Sequence, residues 1–197
     1  GASGTGKSSV VKAGVLPQLR QQGFTILPII RPGKEPLPTI ATELPDIERD
    51  LAKSTCVLFI DQFEELITQC LKSEDRIAFE EQIAKWLHKH QNLRILLSVR
   101  SDFEPQFENK ILAKWWQVGR YLVPSFSLEE IREVITKPAA QAVLFYEPEE
   151  LVDQLCEEVS QAPGALPLLS FTLSELYHAY LKSGGKIVHW YWRITKN

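Results

Sequence analysis

The first eight residues, GASGTGKS, set Gly1, four residues, and then Gly6-Lys7-Ser8. Glycines at such positions let successive backbone N–H groups turn inward and form an anion nest, because no side chain stands in the way. A helix beginning at the lysine adds its positive end to the same place. The spacing is that of GxxxxGK[ST], a phosphate-binding loop. In it Gly1, Ser3, Gly4, Thr5, Gly6 and Ser9 build the cradle, Lys7 reaches the β- and γ-phosphates, and Ser8 holds Mg²⁺ through its hydroxyl.

A second stretch, VLFID, ends four apolar residues with Asp61. A carboxylate at the tip of a buried strand can orient a magnesium ion and its water shell. Open parallel sheets bind ligands at that edge. Asp61 and Lys7 are 61 − 7 = 54 residues apart, room for a helix, a strand and a helix. Glu64 and Glu65 follow, and either could activate a water as a general base. Both could equally complement the N-terminal dipole of the next helix. In a third stretch, SVRSDF, Ser98 and Arg100 would share the edge with Asp61, so that the guanidinium could read a γ-phosphate. A surface pair between Arg100 and Asp102 is the alternative.

Several classes are disfavoured. A GTPase is expected to carry glycine three residues after the strand-end Asp, where Glu64 stands, and an NKxD guanine reader, which NKIL at 109–112 is not. Ser183-Gly184-Gly185 follows Asp61, whereas a transporter-ATPase signature precedes the magnesium Asp; it reads as a turn. The four histidines show no metal-ligand grouping, and His88 and His90 do not face together on a helix. Cys56, Cys70 and Cys156 form no CxxC pair or disulfide ladder, which suggests a reducing, cytoplasmic setting and packing roles. A net charge of −3 gives no bulk reason to expect nucleic acid or anionic membrane as partner. No run approaches the roughly 18 apolar residues of a membrane span. The absence of methionine and the abrupt Gly1 suggest an internal piece of a longer protein.

The elements that must position these residues alternate. A helix is expected from Lys7 to about Gln22, bent or broken near Gly14 and Pro17. FTILPIIR (24–31), CVLFID (56–61) and LRILLSVR (93–100) read as buried strands. Helices are expected within 39–53, over EELITQCLKS, and over DRIAFEEQIAKWLHKH with Ile77, Ile83, Ala84 and Leu87 on one stripe. This is an α/β pattern with a parallel sheet. After YLVP at 121–124, SLEE at 127–130 reads as a capping box. Three amphipathic helices follow, marked by Leu128, Ile131, Val134 and Ile135, by Leu151, Val152, Leu155 and Val159, and by Leu166, Leu169, Leu173, Leu176 and Tyr180. The expected division is an α/β core over 1–124, a small helical unit over 125–183, and an aromatic segment over 184–197 that could be a strand, a partner surface or a disrupted end.

GASGTGKSSVVKAGVLPQLR, VLFIDQFEEL, LLSVRSDFEPQF and PGALPLLSFTLSEL, in that order, resemble the novel STAND NTPase 1 group of signal-transduction ATPases, over roughly residues 1–181. The resemblance implies a P-loop NTPase core of AAA-like type with a three-layer parallel sheet, its first, central strand lying upstream of Gly1. It further implies a helical lid and an ATP–Mg²⁺-controlled switch with weak hydrolysis, in a larger protein that commonly carries WD40 repeats. A nucleotide-dependent oligomer would fit such a switch. A working ATPase and a degenerate interaction module are the competing readings. In the class a Gly-x-Pro motif of the lid touches the nucleotide, which maps here to Pro167 within Gly164-Ala165-Leu166-Pro167.

Overall fold

The computed structural model describes residues 1–107, 111–142, 144, 146–148, 150–162 and 164–184; the aromatic segment lies outside them. The described chain divides into two compact units. One holds Gly1–Ala2 and Gly6–Val123, the other Ser3–Thr5 and the described residues from Pro124 onward.

In the first unit, helix α1 (Lys7–Ser9) runs through a π-helical stretch (Val10–Val15) into α2 (Leu16–Gln21). The helix expected here is therefore continuous. Pro17 has no N–H to give to the turn before it, and the backbone accommodates this by wider hydrogen bonding, with Leu16 N–H reaching back five residues to Val11 O. Strand β1 (Thr25–Ile26) is shorter than the 24–31 run suggests. Thr25 N–H donates to Thr55 O and Leu27 N–H to Val57 O, but the next donor toward this neighbouring strand is Ile30 N–H, to Phe59 O, one residue later than an unbroken ladder would place it. The extra residue falls next to Pro28, and pairing resumes only as an isolated parallel bridge between Ile30 and Ile60. Helices α3 (Pro36–Glu43) and α4 (Ile47–Leu51) share the region where one helix is expected.

Strand β2 (Cys56–Ile60) is parallel to β1 on one side and to β3 (Leu93–Leu97) on the other. All five residues of β2 are buried, because its alternating side chains enter two different cores. Cys56, Leu58 and Ile60 pack with Ile40 of α3, Ile47 and Leu51 of α4, and Phe79 and Ile83. Val57 and Phe59 pack with Leu16 and Leu19 of α2. After β2 comes the single turn α5 (Glu65–Thr68), then α6 (Ser73–Lys89). The buried face of α6 is Phe79, Glu80, Ile83, Ala84 and Trp86. Ile77, expected on that stripe, is exposed. The two aromatics bury more area than one isoleucine and set the rotation of the helix. Beyond β3 lie a short 3-10 turn (Glu104–Gln106) and α7 (Ala113–Gly119).

The second unit contains α8 (Leu128–Gln141), α9 (Glu150–Gln161) and α10 (Leu166–Lys182). Ser127 and Glu130 form the reciprocal capping box expected at the start of α8. Ile131, Ile135, Val152, Leu155, Cys156 and Leu169 make its core. Leu128 and Val134, expected with them, are exposed. Within this unit Gly4 and Gly164 both take left-handed backbone, with φ of 70° and 85°. A Cβ on Gly4 would come 2.5 Å from Gly164 O, and one on Gly164 would come 2.9 Å from Ser3 O. No described helix is long and apolar enough to cross a membrane.

Candidate functional site

Register builds the site. Ile30 bridges Ile60, and Ile60 is paired with Leu97. The residues one step further along each chain, Arg31, Asp61 and Ser98, therefore stand in a row at the C-terminal edge of the sheet. Asp61 N–H donates to Ile30 O (2.9 Å) and Ser98 N–H to Ile60 O (3.0 Å), so the row is held by backbone.

Asp61 has no solvent exposure. Its Oδ1 accepts from Ser8 Oγ (2.5 Å) and Ser98 Oγ (2.7 Å). Its Oδ2 accepts from Lys12 Nζ (2.7 Å) and, less closely, Arg31 Nη2 (3.4 Å). Ser8 and Lys12 are four residues apart, so one helix face delivers a hydroxyl and an ammonium to the two oxygens of one carboxylate. Burial pushes the Asp61 carboxyl up, but the hydrogen bonds from Lys12, Ser8 and Ser98 outweigh it and hold the group below its ordinary value. Ser98 Oγ also accepts Gln62 N–H at 2.8 Å. Among the described non-glycine residues Gln62 alone has a positive φ, 55°. Backbone strain of this kind is held in place where the surroundings over-determine it.

Lys7 Nζ donates to Gly1 O (2.9 Å) and Ala2 O (2.5 Å), drawing the ammonium against its own loop. Burial lowers its pKa below the ordinary lysine value, which disfavours the charged form unless an anion lies near. Gly1 O also accepts Ser101 N–H (3.0 Å), linking the loop to the segment after β3. Gly6 has φ of 79° at the start of α1, and Ser9 ends that turn. Thr5 is buried; Ser3 and Gly4 belong with the second unit, as does Pro167 in the first turn of α10.

The three remaining residues named from sequence sit differently. Glu64 Oε2 accepts Arg100 N–H at 3.3 Å. Glu65 is buried and its Oε2 accepts Gly33 N–H at 3.0 Å, tying down the turn after Arg31. The Arg100 guanidinium engages Asp102 through Nε (3.1 Å) and Nη2 (2.6 Å) and lies over the Phe103 ring, 5.0 Å from its centre. That is the alternative weighed for it. Sequence reasoning brings Ser8, Asp61 and Ser98 to this edge but misses Lys12 and Arg31. Both were within reach: Lys12 lies four residues after Ser8 on a helix, and Arg31 ends an apolar run as Asp61 does.

A family model for Novel STAND NTPase 1 matches residues 1–192. The chain belongs to this family. No curated protein matches it significantly. Membership in a STAND NTPase family makes nucleotide-dependent switching or NTP hydrolysis the functional range, with a nucleotide and Mg²⁺ as the general ligands. The donor set of this STAND NTPase fits such a cation. Mg²⁺ is hard, prefers oxygen, and is usually held by one or two carboxylates together with waters and substrate phosphates. Asp61 and the Ser8 hydroxyl supply that chemistry. Among the described residues no group of three or more His, Cys, Asp or Glu forms an all-protein metal cage.

Proposed function

We propose that the chain is the ATP–Mg²⁺-binding switch module of a larger signal-transduction protein, with weak hydrolysis. The observation that carries this reading is the 2.5 Å hydrogen bond between Ser8 and Asp61, 53 residues apart in sequence. It joins the hydroxyl of a complete GxxxxGKS loop to the carboxylate at the tip of a buried parallel strand. In the bound state Lys7 turns from the Gly1 and Ala2 carbonyls to phosphate oxygens. Ser8 and Asp61 hold the metal, which when bound neutralises phosphate charge. Slow turnover is favoured by the surroundings of the two candidate bases: Glu64 accepts from the Arg100 backbone and Glu65 from Gly33.

The test is a thermal-unfolding titration with Mg-ATP. Saturation a hundredfold above Kd stabilises a one-site protein by about 2.7 kcal/mol, so wild type gains a clear rise in Tm and Lys7→Ala gains none. Equal responses from the two proteins would sink the phosphate-site reading. Phosphate release measured on the same wild-type sample then separates a switch from a working ATPase. Sustained turnover that falls on replacing Glu64 or Glu65 would favour the enzyme.

A further inference from the structure

Asp61 is a fully buried carboxylate with two cationic neighbours, and Lys12 is the nearer by 3.4 − 2.7 = 0.7 Å. A buried carboxylate must be compensated by charge and hydrogen bonds or become neutral. The two serine hydroxyls satisfy Oδ1, but they bring no charge. The charge comes to Oδ2, from an ammonium on a flexible four-carbon stem whose side chain is 37% exposed. That exposure gives Lys12 somewhere to go: it can leave the carboxylate for water without being stranded in the core. Arg31, with its side chain 52% exposed, remains beside the same oxygen.

We infer that Lys12 is an internal counter-ion of Asp61, occupying in the nucleotide-free protein the charge position that a divalent cation takes when it enters with a nucleotide. The inference rests on the reading of Asp61 as a metal-holding residue. An ammonium and a divalent ion would compete for the negative charge of the Asp61 carboxylate, so Lys12 raises the Mg²⁺ concentration the protein needs. The same charge serves a second purpose. Without metal, Asp61 left with only the more distant Arg31 guanidinium would repel phosphates held at the neighbouring loop, and Lys12 reduces that repulsion. One residue thus makes nucleotide binding less dependent on the metal in both directions.

The two effects have opposite signs when the charge is removed, which sets them apart from simple damage to the fold. The experiment follows binding of a fluorescent ADP by anisotropy, first in EDTA and then in a Mg²⁺ titration at saturating nucleotide. Lys12→Met is expected to weaken metal-free binding and to lower the Mg²⁺ midpoint, each by about tenfold, the factor set by losing one charge-assisted hydrogen bond. Lys12→Gln keeps a hydrogen-bond donor without the charge and gives the same pair of shifts, so the test survives misfolding of either variant. Lys12→Arg restores the charge and returns both values toward wild type. Weakening of both kinds of binding together, or an unchanged Mg²⁺ midpoint, overturns the inference. If wild type binds ADP and Asp61→Asn leaves the Mg²⁺ midpoint where it was, the metal-holding reading of Asp61 falls and takes the inference with it.

Discussion

Two aspartates stand beyond the C-terminal ends of neighbouring strands, and they have opposite characters. Asp61 follows β2 directly, is sealed from solvent, and receives Ser8, Lys12, Arg31 and Ser98 from three separate parts of the chain. Asp102 lies five residues beyond Leu97, its side chain is 54% exposed, and its guanidinium partner is two residues away. The hydrogen bond from Arg100 holds the Asp102 carboxyl below its ordinary value, as the network around Asp61 does there. Shifts in the same direction therefore arise from an assembled site and from a local surface pair. What separates them is burial and the sequence distance of the partners. An exposed pair contributes little and is screened by salt, whereas a buried carboxylate commits every element that reaches it.

The sharpest way to break the comparison is to remove the buried carboxylate. Asp61→Ala leaves the Lys12 ammonium and two hydroxyls without their acceptor. A loss of about 2 kcal/mol is expected, toward the low side for a broken buried pair because Lys12 can rehydrate. Urea unfolding measures it, and a loss below half a kilocalorie would place Asp61 with Asp102. The pH dependence carries the same signature. The folded-state pKa of Asp61 is depressed, so its contribution is complete above the unfolded value of about 3.9 and is lost as pH falls through the folded value. Wild-type stability should therefore decline below about pH 4, and Asp61→Asn should flatten that decline.

A smaller effect is expected at Ser98, which both donates to Asp61 and accepts from strained Gln62. Ser98→Ala should cost about 1 kcal/mol and, by loosening Gln62, speed amide exchange at residues 61 and 62. Exchange unchanged at both would show that the strand end is held by backbone alone. The smallest effect belongs to Asp102. Asp102→Asn should leave the urea midpoint unresolved from wild type and insensitive to added salt; a clear loss would give this surface pair the standing of the buried one.

Much of this was legible in the chain, for identifiable reasons. The loop at Gly1–Ser8 follows from glycine freedom and the chemistry of lysine and serine, and Asp61 from its place at the end of VLFI. Ser127 and Glu130 form their capping box because the motif is complete within four residues. The errors share a cause. Residues 24–31 look like one strand because an unbroken apolar run does not reveal the extra residue between the Leu27 and Ile30 donors to β2. Ile77 looks buried because periodicity alone does not say which face of α6 the larger Phe79 and Trp86 will claim.

By itself the sequence determined the family, the alternating α/β order, and the residue types able to handle phosphate, since these depend on motifs and patterns each complete within a short stretch and on their order along the chain. Tertiary structure decided which groups share the Asp61 carboxylate. That depends on the register of Ile30, Ile60 and Leu97 across the sheet and on which face of α1 and its π-helical continuation turns toward it. Those alignments are settled by packing on both faces of β2, where no local spacing rule reaches.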